Sequence, residues 1–235
     1  MWLYNLFTGI IDSFYQTLIY DNRYKFILEG LLHTLIIAFF AVIIGIIIGI
    51  IIALIRNNYE QNGKMKLANT ICKLYVNVIR GTPVVLQLMI IYYVIFKSVD
   101  ISTLIVGILA FGINSGAYVS EIIRSGINSI PIGQSEAGYA LGLKYNQIMR
   151  FIVLPQAIRN ILPALGNEFI TLVKETSVGA YIGVLELTKA SDIIASRTYD
   201  YFFPLLIIAL IYLAITLGLS HLVNKMERKL NNVRS

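Results

Sequence analysis

The chain has 235 residues, of which 57% are hydrophobic and 14% charged, and its mean hydropathy is +0.74. Because soluble domains carry about 25% charged residues, this composition excludes an ordinary water-soluble domain. The formal net charge is +6, but the basic residues lie between apolar runs rather than on one face. That distribution indicates membrane topology and predicts no nucleic-acid partner.

The N-terminal segment, residues 1–25, predicts an amphipathic helix that lies at the membrane interface. Aromatic and aliphatic side chains recur in it at helical spacing, with Asn5, Asp12 and Gln16 between them. Such a segment is too polar to span a bilayer but suits an aromatic-rich interface. Because it has neither a basic n-region nor a small-residue cleavage site, we expect it to be retained rather than cleaved.

Five apolar segments follow, each near the 20 residues that cross a bilayer, and they predict an all-α membrane bundle. The predicted spans are residues 26–55, 67–97, 101–123, 151–173 and 202–222. In the first span, Gly45 and Gly49 form a small-xxx-small pair that allows close helix approach. The second is predicted to be one helix that includes Arg80, and the fourth to be interrupted at Pro155 and Pro163.

Lysine and arginine residues are distributed unequally between the two sides of this bundle, residues 26–224. One side has Arg56, Lys64, Lys66, Arg124, Lys144, Arg150, Arg159, Lys225, Arg228, Lys229 and Arg234, and the other has Arg23, Lys25, Lys97, Lys189 and Arg197. Eleven against five places the first side in the cytoplasm. Five spans then predict an outside N-terminus and a cytoplasmic C-terminus with a basic tail, residues 225–235.

The longest cytoplasmic connection, residues 129–155, is predicted to form two short helices rather than a polar tether. Residues 136–141 predict the first helix, with Gly142 as its left-handed stop, and residues 145–154 the second. Small side chains at Ala137, Gly138 and Gly142 allow a partner protein to dock close to the backbone.

Six residues of this connection have the spacing Glu-Ala-Ala, three residues, Gly, nine residues, Ile, one residue, Leu-Pro: Glu136, Ala137, Gly142, Ile152, Leu154 and Pro155. The pattern resembles the EAA loop of the permease subunits of bacterial ABC importers, with Gly138 in place of the usual second Ala. The resemblance implies a coupling helix that docks in a groove of the ATP-binding subunit. The residues expected to couple to that ATPase are Glu136, Ala137, Gly138, Gly142, Leu154 and Pro155.

Further motifs resemble the polar amino-acid permeases, which serve uptake of histidine, arginine, lysine, glutamine or glutamate. They are Arg80-Gly81-Thr82-Pro83, Tyr118 with Glu121 and Arg124, Gly133-Gln134, Leu154-Pro155-Gln156-Ala157, and Lys174-Glu175-Thr176-Ser177. The resemblance covers about residues 30–222 and implies a multi-pass protein of the bacterial inner membrane. It also implies a dimer with two ATPase subunits and an extracytoplasmic amino-acid-binding protein, and it leaves homodimer and heterodimer open.

Catalytic motifs are absent from the sequence. It has no G-x-x-x-x-G-K-[ST] phosphate loop, so we expect ATP to be bound by the partner subunit and no cofactor in this chain. It has no G-x-S-x-G or H-E-x-x-H motif, and His33 and His221 are far apart, which predicts neither an enzyme nor a metal site. The single cysteine, Cys72, excludes an internal disulfide framework.

Polar residues on one face of the third span and one face of the fourth predict a substrate cavity between them. Asn114, Tyr118, Glu121 and Ser125 share a helical face, as do Asn160, Ala164, Asn167, Thr171 and Lys174. Ionisable residues within spans are costly and usually face a wet interior. An amino acid requires an anion for its ammonium and donors for its carboxylate, and the candidates are Asn114, Tyr118, Ser120, Glu121, Asn167, Glu168 and Thr171.

Several of these charged residues have structural alternatives. Glu121 can instead pair with Arg124, and Glu175 with Lys174, while Arg80 can anchor a helix start against lipid phosphates. Glu168 lies about six residues inside the outer end, and we predict that it favours basic amino acids. A glutamine or glutamate permease is one alternative. An ion-gradient-driven transporter is another, although no internal repeat of broken helices is evident.

Overall fold

The computed structural model describes residue 9 and residues 11–232, and within this range it is all-helical. Its α-helices are α1 (Tyr24–Asn62), α2 (Lys66–Gly81), α3 (Val84–Ile90), α4 (Thr103–Asn128), α5 (Ile132–Ala140), α6 (Tyr145–Ile148), α7 (Leu154–Glu175), α8 (Leu187–Thr198) and α9 (Phe202–Asn232). Four helical segments are long and apolar enough to cross a membrane, and a bent pair makes a fifth. The prediction of an all-α bundle with about five spans is confirmed.

Residues 1–8 and 10 lie outside the described range, so the interfacial segment of residues 1–25 stays a prediction. The described part has a π-helical turn, Tyr15–Ile19, and a short 3₁₀ turn, Tyr20–Asn22. Buried Arg23 donates to the carbonyl of Gln16 at 2.6 Å, which joins these turns to the start of α1.

Helices α1 and α4 make the most extensive contact in the bundle, and glycines on both helices permit it. A Cβ atom at Gly45 would lie 2.7 Å from the Ser115 hydroxyl, and one at Gly112 would lie 2.7 Å from Ile44. No side chain fits at such distances, so the two backbones approach where glycine allows it. The predicted close approach at Gly45 and Gly49 is confirmed.

The second predicted span is not one helix, which corrects the expectation for residues 67–97. Helix α2 ends at Gly81, and the following segment, Val84–Ile95, is bent from it by 110°. Pro83 restricts Thr82 to an extended conformation (φ −123°, ψ 149°), which a helix cannot accommodate. The Gln87 side chain then holds the bend, donating to the carbonyls of Ile79 at 2.8 Å and Thr82 at 3.1 Å.

The fourth span is continuous from Tyr145 to Ile182, so the expected interruption at Pro163 is wrong. Pro163 lies inside α7, and the helix continues through it. The irregularity lies earlier, in a π-helical turn, Met149–Val153, immediately before Pro155. Pro155 has no backbone N–H to donate there. Next to it, the Gln156 side chain donates to the Ile152 carbonyl at 2.7 Å.

Helix α8 lies beside the start of α1, at the end of the bundle opposite to α5, and α9 follows it as the last span. The fully buried Glu186 caps α8 by accepting from the backbone N–H groups of Thr188 and Lys189, each at 2.7 Å. Its backbone contacts α1 closely, because a Cβ at Gly30 would meet the Glu186 carbonyl oxygen at 2.8 Å. Helix α9 extends through residues 223–232, so the part of the basic tail that the structure describes is helical.

Candidate functional site

A polar cavity of about 570 Å³ lies between α2, α4 and α7. Its lining residues are Arg80, Tyr118, Glu121, Ile122, Ser125, Gly126, Ser129, Asn160, Ala164, Asn167, Glu168 and Thr171. The two helical faces that the polar spacing predicts therefore meet in one cavity. This volume lies within the range of small-molecule binding pockets.

Five of the seven predicted substrate residues line this cavity: Tyr118, Glu121, Asn167, Glu168 and Thr171. The other two do not. Buried Asn114 donates to the Gln87 side-chain oxygen at 2.9 Å, and buried Ser120 donates to the Ala117 carbonyl at 2.7 Å. Ser120 borders a small recess on another side of α4 instead. We therefore correct the predicted site by leaving Asn114 and Ser120 out of it.

The Glu121 carboxylate is surrounded by three arginines from three helices. Arg56 of α1 lies 2.5 Å from it, Arg124 of α4 lies 2.6 Å away, and Arg80 of α2 lies at 3.9 Å. The side chains of Arg56 and Glu121 are only 16% and 17% exposed. The expected alternative, a pair with Arg124, is present, but the sequence did not indicate Arg56 or Arg80 as further partners. One carboxylate among three guanidinium groups leaves this end of the cavity cationic.

Arg80 is a cavity residue that the sequence analysis did not assign to the site. Its guanidinium lies 5.4 Å from the Tyr118 ring centre, in cation–π geometry, and its side chain is half exposed. Arg80 thus belongs to the cavity lining, whereas the sequence offered it only as an anchor for a helix start at the lipid phosphates. The signal available in the sequence was the Gly81-Thr82-Pro83 break directly after it.

Glu168 lies at the other end of the cavity. Its carboxylate accepts a hydrogen bond of 2.7 Å from the Ser115 hydroxyl of α4. Among the described residues it has no salt bridge, unlike Glu121, and the alternative pair of Glu175 with Lys174 does not form there either. Ser115, which holds Glu168, precedes Glu121 by six residues, which is a rise of about 9 Å along the axis of α4. The cavity therefore has a cationic end at Arg80 and an anionic end at Glu168.

Helix α5 and the turn after it form a compact projection at the end of the bundle where α1 ends. Gly142 has φ +79°, which confirms the predicted left-handed stop. The N–H of Gly142 donates to the Tyr139 carbonyl at 2.9 Å, and that of Leu143 to the Gly138 carbonyl at 3.1 Å. These two bonds are a Schellman motif, which satisfies the last carbonyls of the helix.

The surface of this projection differs in part from the prediction. Glu136, Ala137 and Gly142 are exposed, but Gly138 is buried, and a Cβ there would lie 2.8 Å from Ile148. A small residue is thus required at position 138 because α5 packs on α6 there, not because a partner protein contacts it. Leu154 also departs from the prediction, since it faces a groove between α1 and α7. The exposed apolar residues that the prediction missed are Ile132 (76% exposed) and Leu141 (79%).

Comparison with known proteins gives a consistent result. Residues 45–232 match the family described as binding-protein-dependent transport system inner membrane component. A permease of Rickettsia typhi named for a glutamine transport system (GlnP) is 42% identical over 207 residues, 87% of this chain and 93% of that protein. The arginine transport system permease protein ArtQ of Bacillus subtilis is 42% identical over 209 residues, 88% and 93%.

A solved structure extends the likeness to three dimensions. A crystal structure of an amino acid ABC transporter with histidines superposes with a TM-score of 0.82 at 43% identity, covering 87% of this chain and 94% of that one. The helical architecture described above is therefore similar to that of a solved amino acid ABC transporter over most of the chain.

Proposed function

This chain belongs to the inner-membrane components of binding-protein-dependent transport systems and is an amino-acid permease of the ABC importer type; from that premise we propose that it transports basic amino acids, arginine, lysine or histidine. The observation that carries the proposal is the Glu168 carboxylate in the polar cavity, which accepts from Ser115 but makes no salt bridge with any residue that the structure describes. The gradient-driven alternative has no support in this family.

The charges in the cavity suit an amino acid with a cationic side chain. Arg80 supplies a donor for the substrate carboxylate, and Glu168 an acceptor for a cation at the other end. Ser115, which binds Glu168, and Glu121, which lies 3.9 Å from Arg80, are about 9 Å apart along the axis of α4, and this is longer than the single carbon between the ammonium and carboxylate of an amino acid. A terminal side-chain cation spans this distance better than the α-ammonium does, which favours a basic substrate.

Glutamine is the second candidate, and a specific observation favours it. The terminal amide of glutamine also donates hydrogen bonds, and relatives of similar identity are named for glutamine and for arginine transport. The two candidates differ in charge, so they differ in how much transport depends on an ionised Glu168. Removing the charge should weaken arginine transport by about tenfold, because a hydrogen bond to a charged group contributes about 1–2 kcal/mol more than a neutral one.

The test is ATP-driven uptake by the full complex in proteoliposomes with its cognate binding protein. Glu168→Gln should reduce arginine uptake strongly and glutamine uptake little, while the matched control Glu227→Gln, exposed at the far end of α9, should change neither. Arginine uptake equal to that of the unaltered protein would contradict the basic-substrate proposal. ATP-driven uptake of glutamine without any uptake of arginine by the unaltered complex would establish the second candidate.

We propose further that the chain works with two ATPase subunits, a second permease copy and an extracytoplasmic amino-acid-binding protein, and that ATP is bound only by the ATPases. The exposed projection of α5 supports the first of these, because Glu136, Ala137 and Gly142 are exposed on it together with the apolar Ile132 and Leu141. The excess of basic residues beside α5 supports a cytoplasmic location for this end and for the C-terminus, with the N-terminus outside. Accessibility of single cysteines to a membrane-impermeant reagent tests that orientation.

A further inference from the structure

A second large cavity, of about 590 Å³, lies on a face of α7 that does not line the polar cleft. It is an apolar groove between α1, α4 and α7, and its aliphatic lining residues are Ile46, Ile50, Ala53, Leu54, Ile123, Ile127, Met149, Leu154, Ile158, Ile161, Leu162 and Leu165. Ile50, Leu54, Ile158 and Leu162 are all more than a third exposed, so the groove opens along its length to the surroundings of the bundle.

The groove is polar at one end only. That end is formed by the last turns of α1 and the start of α6, where the Tyr145 hydroxyl donates to the Asn57 side chain at 2.6 Å. It continues into a polar recess of about 560 Å³, lined by Leu54, Asn57, Asn58, Gln61, Asn62, Lys144, Tyr145 and Asn146. Groove and recess share Leu54, Asn57, Tyr145 and Asn146, so they form one amphipathic site.

The charged residues that line this site are all basic, and the nearest carboxylate, that of Glu60, lies outside the lining near Tyr145. Arg150 lines the groove and Lys144 lines the recess, and both side chains are exposed. In the part of the chain that the structure describes, neither makes a salt bridge, and no Asp or Glu lines the groove or the recess. Two cations surrounded by amide side chains are complementary to a phosphate group.

The dimensions of the groove indicate what occupies it. From Ile46 to Asn57, α1 advances about 16 Å, close to the thickness of one leaflet of a hydrocarbon core of about 30 Å. The groove is thus as long as the acyl region of one leaflet, and its aliphatic lining and its opening to the side match lipid acyl chains.

We propose that this groove and recess bind one anionic phospholipid per chain. The acyl chains lie along the groove against Ile50, Ile158 and Leu162, and the phosphate lies in the recess between Lys144 and Arg150. Basic pockets between membrane helices bind anionic headgroups in this way. Because Met149 and Arg150 belong to the π-helical turn that joins α6 to α7, the lipid also contacts the segment that carries α5. The site is independent of which amino acid the cleft carries.

The test is native mass spectrometry of the full-length permease, with the subunits that co-purify, after equilibration with equal amounts of phosphatidylglycerol and phosphatidylcholine. We expect one phosphatidylglycerol retained per chain in preference to phosphatidylcholine. Each basic residue near an anionic headgroup contributes about 1 kcal/mol, so Lys144→Gln and Arg150→Gln should each lower retention about fivefold. The matched control is Lys225→Gln, an exposed lysine on α9, which should leave retention unchanged.

A second variant tests the groove without changing a charge. Leu162→Trp fills the apolar part and should lower retention while co-purification and thermal stability stay as in the unaltered protein. A photoreactive side chain at Ile158 should form adducts with lipid in native membranes. Adducts with a protein chain, equal retention of the two lipids, or retention that the Lys144 and Arg150 variants leave unchanged would each overturn the proposal.

Discussion

The Glu121 carboxylate accepts a hydrogen bond of 2.5 Å from Arg56, which lies 65 residues earlier in the chain. This contact joins the end of α1 to the end of α4 beside the polar cleft. Arg124 contacts the second carboxylate oxygen, while Arg80 approaches from α2. A carboxylate held in this way is a structural element of the cleft as well as part of its lining.

Removing the Glu121 charge should destabilise the protein. Glu121→Gln removes the carboxylate that the three arginines share, and we expect a loss of about 2 kcal/mol, less than for a fully buried pair because the group is partly exposed. Arg56→Gln should cost a similar amount. The matched Arg124→Gln should cost at most about 1 kcal/mol, since that side chain is 43% exposed.

These variants are compared by thermal unfolding in detergent, and the double variant Arg56→Gln with Glu121→Gln completes a cycle. A coupling between 0.5 and 3 kcal/mol is the range for residues in contact, and we expect a value of about 1 kcal/mol. Strictly additive effects would show that the observed contact does not stabilise the fold.

Substitution of Gly142 should separate ATP hydrolysis from transport. With φ at +79°, a residue with a Cβ strains the Schellman turn by about 1 kcal/mol, and Asp adds a charge to the exposed projection. We expect Gly142→Asp to reach the membrane but to lose substrate-stimulated ATPase activity or to fail to assemble. The control is Gly63→Asp, which places the same side chain at another exposed left-handed glycine (φ +64°) outside the projection and should leave coupling unchanged. A Gly142→Asp complex with full transport would contradict the docking role of this surface.

The α1–α4 contact should not tolerate a methyl group. Gly45→Ala places a Cβ 2.7 Å from the Ser115 hydroxyl, the group that also binds Glu168, so we expect a loss of about 1–3 kcal/mol and weakened transport. Gly218→Ala in α9 is the matched control, because nothing lies within 4 Å of its Cβ. Alanine favours a helix there by about 0.5–1 kcal/mol, so thermal midpoints of the two variants should move in opposite directions.

Protonation of Glu186 should make stability depend on pH. Burial raises the pKa of this carboxyl from 4.5 to about 7, despite the hydrogen bonds from Thr188, Lys189 and Tyr212. The folded protein therefore holds a proton between pH 4.5 and 7 that the unfolded chain has lost. The associated stability, on the order of 3 kcal/mol, is present below pH 4.5 and is lost as the pH rises through 7.

Thermal midpoints measured from pH 5 to pH 8 check this sign. The unaltered protein should become less stable over that interval, and Glu186→Gln, which is neutral throughout, should flatten the profile. Asp192→Asn, at an exposed position on the same helix, should leave the slope as it is. A midpoint that rises with pH in the unaltered protein, and equally in Glu186→Gln, would show that another group dominates.

Much of the fold follows from local patterns. Runs of apolar residues near 20 long determine how many spans exist, because the bilayer thickness sets that length. The left-handed Gly142 and the close approach at Gly45 were equally predictable, since only glycine suits such positions. Helical spacing also predicted that Glu168 and Glu121 face one cavity.

Other features of the site required the tertiary structure. Whether a proline interrupts a helix depends on its surroundings. Pro83 ends α2, and Gln87 holds the 110° bend that follows, whereas α7 continues through Pro163. Asn114 and Ser120 have the same helical spacing as the cavity residues, yet neighbouring helices and carbonyls satisfy them.

By itself the sequence determined the membrane class, the number of spans, the family and the position of the projecting segment, because length, hydropathy and glycine geometry are local properties. Only the tertiary structure decided that Arg56 and Arg80 meet Glu121, that Gly138 packs inward on Ile148, and that a lipid-sized groove lies beside α7. The physical reason is that charge pairs and close contacts form between residues many turns apart. The periodicity of one helix does not specify which residues of another helix lie opposite it.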